Sequence, residues 1–156
     1  MSRTLRQWLD QYGESHQNPV NKKIHWLMVP IIFFTITGIL WSLPLPTWLQ
    51  TVPGVNWASI LLIPVLLFYL RLSVALTLGM TVFSLSCFAI CWQIDQIMPG
   101  QLWQISLALF VIAWVFQFVG HKIEGQKPSF FEDVQFLLIG PAWLMSFIYQ
   151  KLGIRY

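Results

Sequence analysis

Four long apolar runs without a charged side chain constrain the fold of this chain most. They cover residues 26–43, 55–70, 73–94 and 102–120. A helix needs about 20 apolar residues to cross the hydrocarbon core of a bilayer, and these runs reach or approach that length. Only 10% of the residues are charged, whereas a typical soluble domain carries about 25%. The sequence therefore predicts an all-α integral membrane protein whose 156 residues form a single membrane domain.

A fifth apolar run, residues 134–150, is shorter and carries Gly140-Pro141 near its centre. A glycine-proline pair inside a helix bends or breaks it, so we expect a re-entrant or interfacial helix here, with a fifth span as the alternative. The Ser129–Glu132 stretch has the pattern of a capping box that would start this helix.

The first residues predict a short amphipathic helix that lies in the membrane interface. Its apolar side chains recur at the i, i+3, i+4, i+7 spacing of one helical face: Leu5, Trp8, Leu9 and Tyr12. Asn18-Pro19 is a typical helix start, with asparagine as the N-cap and proline at the first helical position. Gly125 is a natural C-cap for the helix of the fourth span.

The distribution of basic residues predicts the orientation in the membrane. With the N-terminus in the cytoplasm, every Lys and Arg up to residue 127 lies on the cytoplasmic side, as the positive-inside rule requires. All three histidines of the chain and Glu124 then lie at that same face. In a bacterial cell this would be the inner membrane. The basic residues are too few and too scattered for a nucleic-acid-binding surface.

The shared face makes His16, His25 and His121 candidates for a metal site. Imidazole is the commonest transition-metal ligand, and iron or zinc sites take three or four nitrogen or oxygen donors. Asn21 lies one helical turn before His25, and Glu124 lies one turn after His121, so either could serve as a further donor or support a ligand. Open coordination positions for oxygen or substrate would suit non-haem Fe(II).

Simpler interpretations stand beside this one. Interfacial histidines are often polar tips at the membrane surface, Glu124 could be solvated, Asn21 could only start a helix, and Tyr12 could be an interfacial anchor. Gln117 is harder to explain in this way, because a polar side chain near a span end usually faces the bundle interior. Two other classes stay open: a haem-binding membrane protein with two axial histidines, and a non-catalytic membrane module such as a scaffold.

The motif residues resemble those of a known family, over nearly the whole chain. The first motif comprises, in order and spacing, Tyr12, His16, Asn21, His25 and Pro30. The later motifs are Gly120-His121, Glu124, Pro128 and Gly140-Pro141. This pattern is similar to that of the small membrane-bound 2-hydroxy fatty acid dioxygenases of fatty acid α-oxidation.

The resemblance implies an Fe(II)-dependent enzyme that uses O2 to shorten a 2-hydroxy fatty acid by one carbon, with release of carbon dioxide. His16, His25 and His121 correspond to the family's presumed iron ligands, with Glu124, water or substrate as a fourth donor. Lys22 and Lys122 lie near the histidines in sequence and could attract the substrate carboxylate. The same donors would also serve zinc or manganese, and the substrate chain length and the oligomeric state stay open.

Overall fold

The computed structural model describes residues 4–125 and 136–156, and within them it is all-helical. The helices are, in order, α1 (Leu5–Glu14), α2 (Pro19–Ser42), α3 (Trp57–Leu72), α4 (Val74–Ile97), α5 (Leu102–Glu124) and α6 (Ile139–Leu152). By length and composition α2, α4 and α5 can each cross a membrane, while α3 is a shorter apolar helix. The predicted all-α class is confirmed, and three of the predicted spans coincide with helices of spanning length.

The two helix ends that the sequence predicts are confirmed. Asn18 caps α2, because its side-chain oxygen accepts a hydrogen bond from the backbone N–H of Val20 at 2.9 Å, and Pro19 is the first residue of the helix. At the end of α5, Gly125 adopts the left-handed conformation, with φ of 76°. That conformation is strained for any residue with a side chain, which is why glycine ends the helix here.

Small residues let α2 and α5 pack closely against each other. A Cβ atom added at Gly38 of α2 would run into Ser106 of α5, and one added at Gly120 of α5 would run into Asn21 of α2. Close approach through small residues is the usual device for packing helices in a bilayer. These contacts make the pair antiparallel, so the beginning of α2 lies beside the end of α5.

The last helix, α6, packs across the same end of the bundle. Near its start, the Tyr69 hydroxyl at the end of α3 donates to the Leu138 carbonyl at 2.7 Å. Near its end, the Tyr149 hydroxyl donates to the Ala75 carbonyl at the beginning of α4 at 2.6 Å. Both ends of α6 are thereby attached to the end of the bundle where α3 meets α4.

The predicted bend in the middle of this last helix is wrong for its described part. Gly140 and Pro141 lie in the first turn of α6, where the missing N–H of a proline breaks no hydrogen bond within the helix. The expected capping box at Ser129–Glu132 lies outside the described residues.

The amphipathic helix α1 is confirmed, and its apolar face packs on protein. Tyr12 contacts Trp143 of α6 with 5.4 Å between ring centroids, and Trp8 contacts Phe136 edge to face. A capping box of Thr4 and Gln7 begins the helix. The packing of α1 on α6 fixes the connection from α1 to α2, which carries the first histidine.

Candidate metal centre

Two histidines meet where α1 passes into α2. His16 lies in the connection between these helices, and His25 lies in the second turn of α2; each is only 2% exposed. Their rings pack edge to face with centroids 4.1 Å apart. The chain turns between His16 and Pro19, and this turn brings both side chains into one buried space.

The third histidine reaches the same space from the far end of the sequence. His121 lies in the last turn of α5 and is 7% exposed. Its ring centroid is 5.8 Å from that of His16 and 5.2 Å from that of His25. The antiparallel packing of α2 and α5 thus brings all three histidines of the chain into one cluster.

Hydrogen bonds to backbone carbonyl groups determine which ring nitrogen carries the proton in two of these histidines. His16 Nδ1 lies 2.6 Å from the carbonyl oxygen of Tyr12, and His25 Nδ1 lies 3.1 Å from that of Asn21. A carbonyl oxygen can only accept, so Nδ1 carries the proton in both rings and the neutral Nε2 keeps its lone pair. Metal-binding histidines are typically oriented in this way, with the second ring nitrogen bonded to a carbonyl or carboxylate.

Aromatic side chains enclose His16. The Tyr12 ring stacks on the imidazole with centroids 4.2 Å apart and planes 14° apart. Trp143 of α6 lies on another side of it, at 5.5 Å. The position of Tyr12 in the first motif is thus explained by its stacking against His16, whereas nothing in the sequence identified Trp143 among the apolar residues of the last run.

Glu124 connects the end of α5 to the beginning of α2. One carboxylate oxygen accepts from the backbone N–H of Gln17 at 2.7 Å. The other accepts from the backbone N–H of Asn18 at 2.9 Å and from the side-chain amide of Asn21 at 2.9 Å. These donors lie at the N-terminus of α2, where the helix dipole also favours a negative charge. The described geometry therefore makes Glu124 an anchor between the two motifs.

Asn21 lies fully buried at the centre of this connection. Its Nδ2 donates to Glu124 and, at 3.3 Å, to the carbonyl of Ser15, while its backbone carbonyl holds His25. Its Oδ1 faces Gly120, where no side chain would fit. One residue thus supports a histidine of its own helix, the preceding loop and the neighbouring helix.

Two spaces open next to the histidine cluster. The first is an open cleft of about 690 Å³ between α1 and α6, which His16 and Lys22 line. The second is a small cavity of about 40 Å³ on the other side, lined by His25, Gln117 and apolar residues. The predicted inward orientation of Gln117 is confirmed, since it is 5% exposed. Lys122 is exposed at the end of α5 and does not line the cleft.

Comparison with known proteins identifies the family of the chain. A family model described as "2-hydroxy-palmitic acid dioxygenase Mpo1-like" matches residues 2–152. The chain belongs to the Mpo1-like family. It is 30% identical over 153 residues to the 2-hydroxy-palmitic acid dioxygenase MPO1 of Saccharomyces cerevisiae, covering 96% of this chain and 82% of that protein. No solved structure matches the chain significantly.

The histidine cluster of this Mpo1-like chain has the donor chemistry of a metal site but not its closed geometry. Within residues 4–125 and 136–156, no group of three or more His, Cys, Asp or Glu side chains has the arrangement of a formed metal cage. The rings contact each other edge to face, so binding would require them to turn one nitrogen each towards a common point. Their burial, their proximity and the Nδ1 hydrogen bonds of His16 and His25 fit that requirement chemically.

Proposed function

We propose that this chain is a non-haem Fe(II) dioxygenase that shortens 2-hydroxy fatty acids by one carbon at the cytoplasmic face of a membrane. The observation that carries the proposal is the convergence of His16, His25 and His121 in one buried cluster, in a chain of the Mpo1-like family. Two of these residues come from the first motif and one from the second, so a shared site explains why both motifs occur together.

The reaction balances without an additional reductant. A 2-hydroxy acid and one O2 give the acid that is one carbon shorter, one carbon dioxide and one water. The bond between C1 and C2 breaks, C1 leaves as carbon dioxide and C2 becomes the new carboxyl carbon. The electrons that these two carbons lose are those that O2 gains. Fe(II), when bound, would supply the redox chemistry that lets O2 react with the hydroxy acid.

In this proposal the three histidines hold the metal, and Glu124 holds the histidines in place. Both oxygens of Glu124 already accept hydrogen bonds from the beginning of α2, which favours an ionised carboxylate. His16 and His25 each offer an Nε2 lone pair because Nδ1 donates to a carbonyl. A fourth donor would be water or the substrate.

The open cleft beside the cluster would receive the carboxylate end of a 2-hydroxy fatty acid. Lys22 lines the open cleft together with His16, and Arg6, Asp10 and Glu14 line it as well. In this proposal the ammonium group of Lys22 attracts the substrate carboxylate towards the metal. The stacked Tyr12 and the neighbouring Trp143 shield the cluster. Shielding from water would strengthen electrostatic interactions at the site.

The test is turnover by the purified, Fe(II)-loaded protein in detergent. We expect O2 consumption with a 2-hydroxy fatty acid, none with the fatty acid that lacks the hydroxyl group, and a product one carbon shorter by mass spectrometry. The moles of O2 consumed should equal the moles of shortened acid formed. Consumption without the shortened acid, or equal turnover of the non-hydroxylated acid, would contradict the proposal.

A further inference from the structure

An apolar groove runs between α2 and α3, away from the histidines. It has a volume of about 250 Å³, and the side chains that form it include Phe33, Ile36, Leu40, Leu62, Val65 and Phe88. Phe33 and Val65 lie at the end nearer His25, because α2 begins near the histidines and α3 ends there. Leu40 and Phe88 lie at the far end, where Trp41 packs on Phe88 with 5.6 Å between ring centroids.

One side chain separates the groove from the small cavity beside His25. Leu137, in the turn before α6, lines the groove and also lines the small cavity beside His25. On α2 the two spaces are adjacent as well, since Ile32 lines the cavity and Phe33 lines the groove. The cavity beside His25 and the groove are therefore neighbours, and the side chain of Leu137 lies between them.

We propose that this groove binds the acyl chain of the 2-hydroxy fatty acid, which makes it a site that selects chain length. The proposal rests on the proposed function for the identity of the head group. The acyl chain starts beside His25, passes Leu137 and extends between α2 and α3. The chain is then held by the protein and not only by the surrounding bilayer.

The distance from the histidines to the far end of the groove agrees with a long acyl chain. From His25 to Leu40, α2 rises about 22 Å at 1.5 Å per residue. Half of a hydrocarbon core of about 30 Å, the depth that one lipid chain fills, is about 15 Å. The groove itself begins near Phe33, about 12 Å along α2 from His25, so an acyl chain that crosses one leaflet and keeps its carboxyl end at the histidines would end inside the groove.

The groove would act through its shape. Lipid tails are as apolar as the side chains that line it, so moving an acyl chain from the bilayer into the groove brings little hydrophobic gain. A groove of fixed length does, however, distinguish chains that end inside it from chains that extend past it. The proposal is therefore best tested by measuring how turnover depends on the length of the acyl chain.

Two neighbouring substitutions on α3 test this dependence. Leu62 lines the groove, whereas Ile63, the next residue, is 62% exposed on the lipid-facing side. We expect Leu62→Trp to lower kcat/KM for long-chain 2-hydroxy acids at least tenfold relative to medium-chain ones, because the indole shortens the groove. Ile63→Trp, which adds the same side chain outside the groove, should keep the wild-type profile. Identical profiles for a folded Leu62→Trp protein and for the wild type would overturn the proposal.

Photo-crosslinking tests the groove independently of turnover. The probe is a 2-hydroxy fatty acid with a diazirine at the end of its chain, added to the protein in lipid nanodiscs. We expect label on groove residues of α2, α3 or α4, and less label when unmodified 2-hydroxy acid is added in excess. Label on lipid-facing residues alone would overturn the proposal. Label in the groove that excess unmodified acid does not reduce would also overturn it, because the groove would then not be selective for the 2-hydroxy acid over ordinary lipid.

The two experiments separate the groove from the reaction. Competed label in the groove without any turnover would support the acyl site and contradict the proposed dioxygenase activity. Turnover accompanied by label elsewhere would support the dioxygenase and overturn the acyl site.

Discussion

The side-chain amide of Asn21 donates a hydrogen bond to the carboxylate of Glu124, with 2.9 Å between Nδ2 and Oε2. The two residues are 103 positions apart in sequence, and each lies within a turn of a histidine in the cluster. This hydrogen bond therefore joins the two motifs of the chain directly, and disturbing it should change the relative positions of His25 and His121.

Removing the charge of Glu124 should weaken this connection. In Glu124→Gln the amide would place an NH2 group against the N–H donors of α2, so at least one of them loses its acceptor. Hydrogen bonds to charged groups contribute about 1.5–3 kcal/mol when buried, and partial exposure of Glu124 reduces this to about 1 kcal/mol. We expect a lower melting temperature in detergent and a weaker affinity for Fe(II). Asp95→Asn, a charge-matched change at the other end of the bundle, should leave both unchanged.

A methyl group at position 120 should force α2 and α5 apart. In Gly120→Ala the new Cβ would overlap Asn21, and overpacking of this kind costs about 1–3 kcal/mol. The matched control is Gly13→Ala, whose Cβ would only touch Trp143 at an ordinary 3.6 Å. Thermal unfolding should show a destabilised Gly120→Ala and a Gly13→Ala that is at least as stable as the wild type. Equal stability of the two variants would contradict the close approach of the helices.

The stacked ring of Tyr12 should matter more than its hydroxyl group for the position of His16. Tyr12→Phe keeps the ring that lies 4.2 Å from the imidazole, whereas Tyr12→Leu removes it. We expect Tyr12→Leu to weaken Fe(II) binding by about tenfold, within the 10–100-fold range typical of groups that orient metal ligands, and Tyr12→Phe to stay close to the wild type. Titration of the metal-free proteins with Fe(II) under anaerobic conditions measures the difference. A loss of equal size in both variants would assign the effect to the hydroxyl group.

The packing of α6 predicts that the N-terminus and the C-terminus lie on the same side of the membrane. Both ends of α6 contact the end of the bundle that carries the histidines, so four crossings would leave the C-terminal tail on the side of the N-terminus. In a background of Cys87→Ala and Cys91→Ala, single cysteines at Glu14 and Arg155 should react with a membrane-impermeant maleimide from one side. A cysteine at Met98 should react from the other.

Opposite reactivity of the cysteines at positions 14 and 155 would instead indicate five crossings. The cysteine at position 98 also serves as the control for vesicle orientation, because it lies in the turn between α4 and α5 under either topology.

Local signals made much of the fold predictable. The N-cap at Asn18, the C-cap at Gly125 and the apolar face of α1 follow from short-range rules, and the structure has each of them. Charge placement predicted only that the histidines share one face of the membrane, because the positive-inside rule put both motifs there; their meeting in one site was a hypothesis from their donor chemistry and from the family resemblance. Such predictions need no knowledge of which helix packs on which.

The features that sequence reasoning missed depend on tertiary contacts. Glu124 was predicted either as a further metal donor or as a support for a ligand; its hydrogen bonds come from the backbone N–H groups of Gln17 and Asn18 and from the side chain of Asn21, and no spacing in the sequence indicates these partners. Gly120 matters because of the neighbour it faces, and Trp143 is one of nine tryptophans in the chain. Gly120 belongs to the second motif, but the motif does not reveal why a glycine is needed there, and no pattern within one segment identifies Trp143. The mid-helix bend at Gly140-Pro141 was wrong because the start of α6 could not be located from an apolar run.

The most direct test of the account is the metal content of the purified protein. Wild type, His121→Ala and Val119→Ala should be purified in detergent and loaded with Fe(II) under anaerobic conditions, then analysed for iron, zinc and manganese. Val119 is 44% exposed on the same helix and serves as the matched control. We expect about one iron per chain in the wild type and in Val119→Ala, and a loss of the iron in His121→Ala. No metal in the wild type after loading, or full iron in His121→Ala, would contradict a site shared by the two motifs.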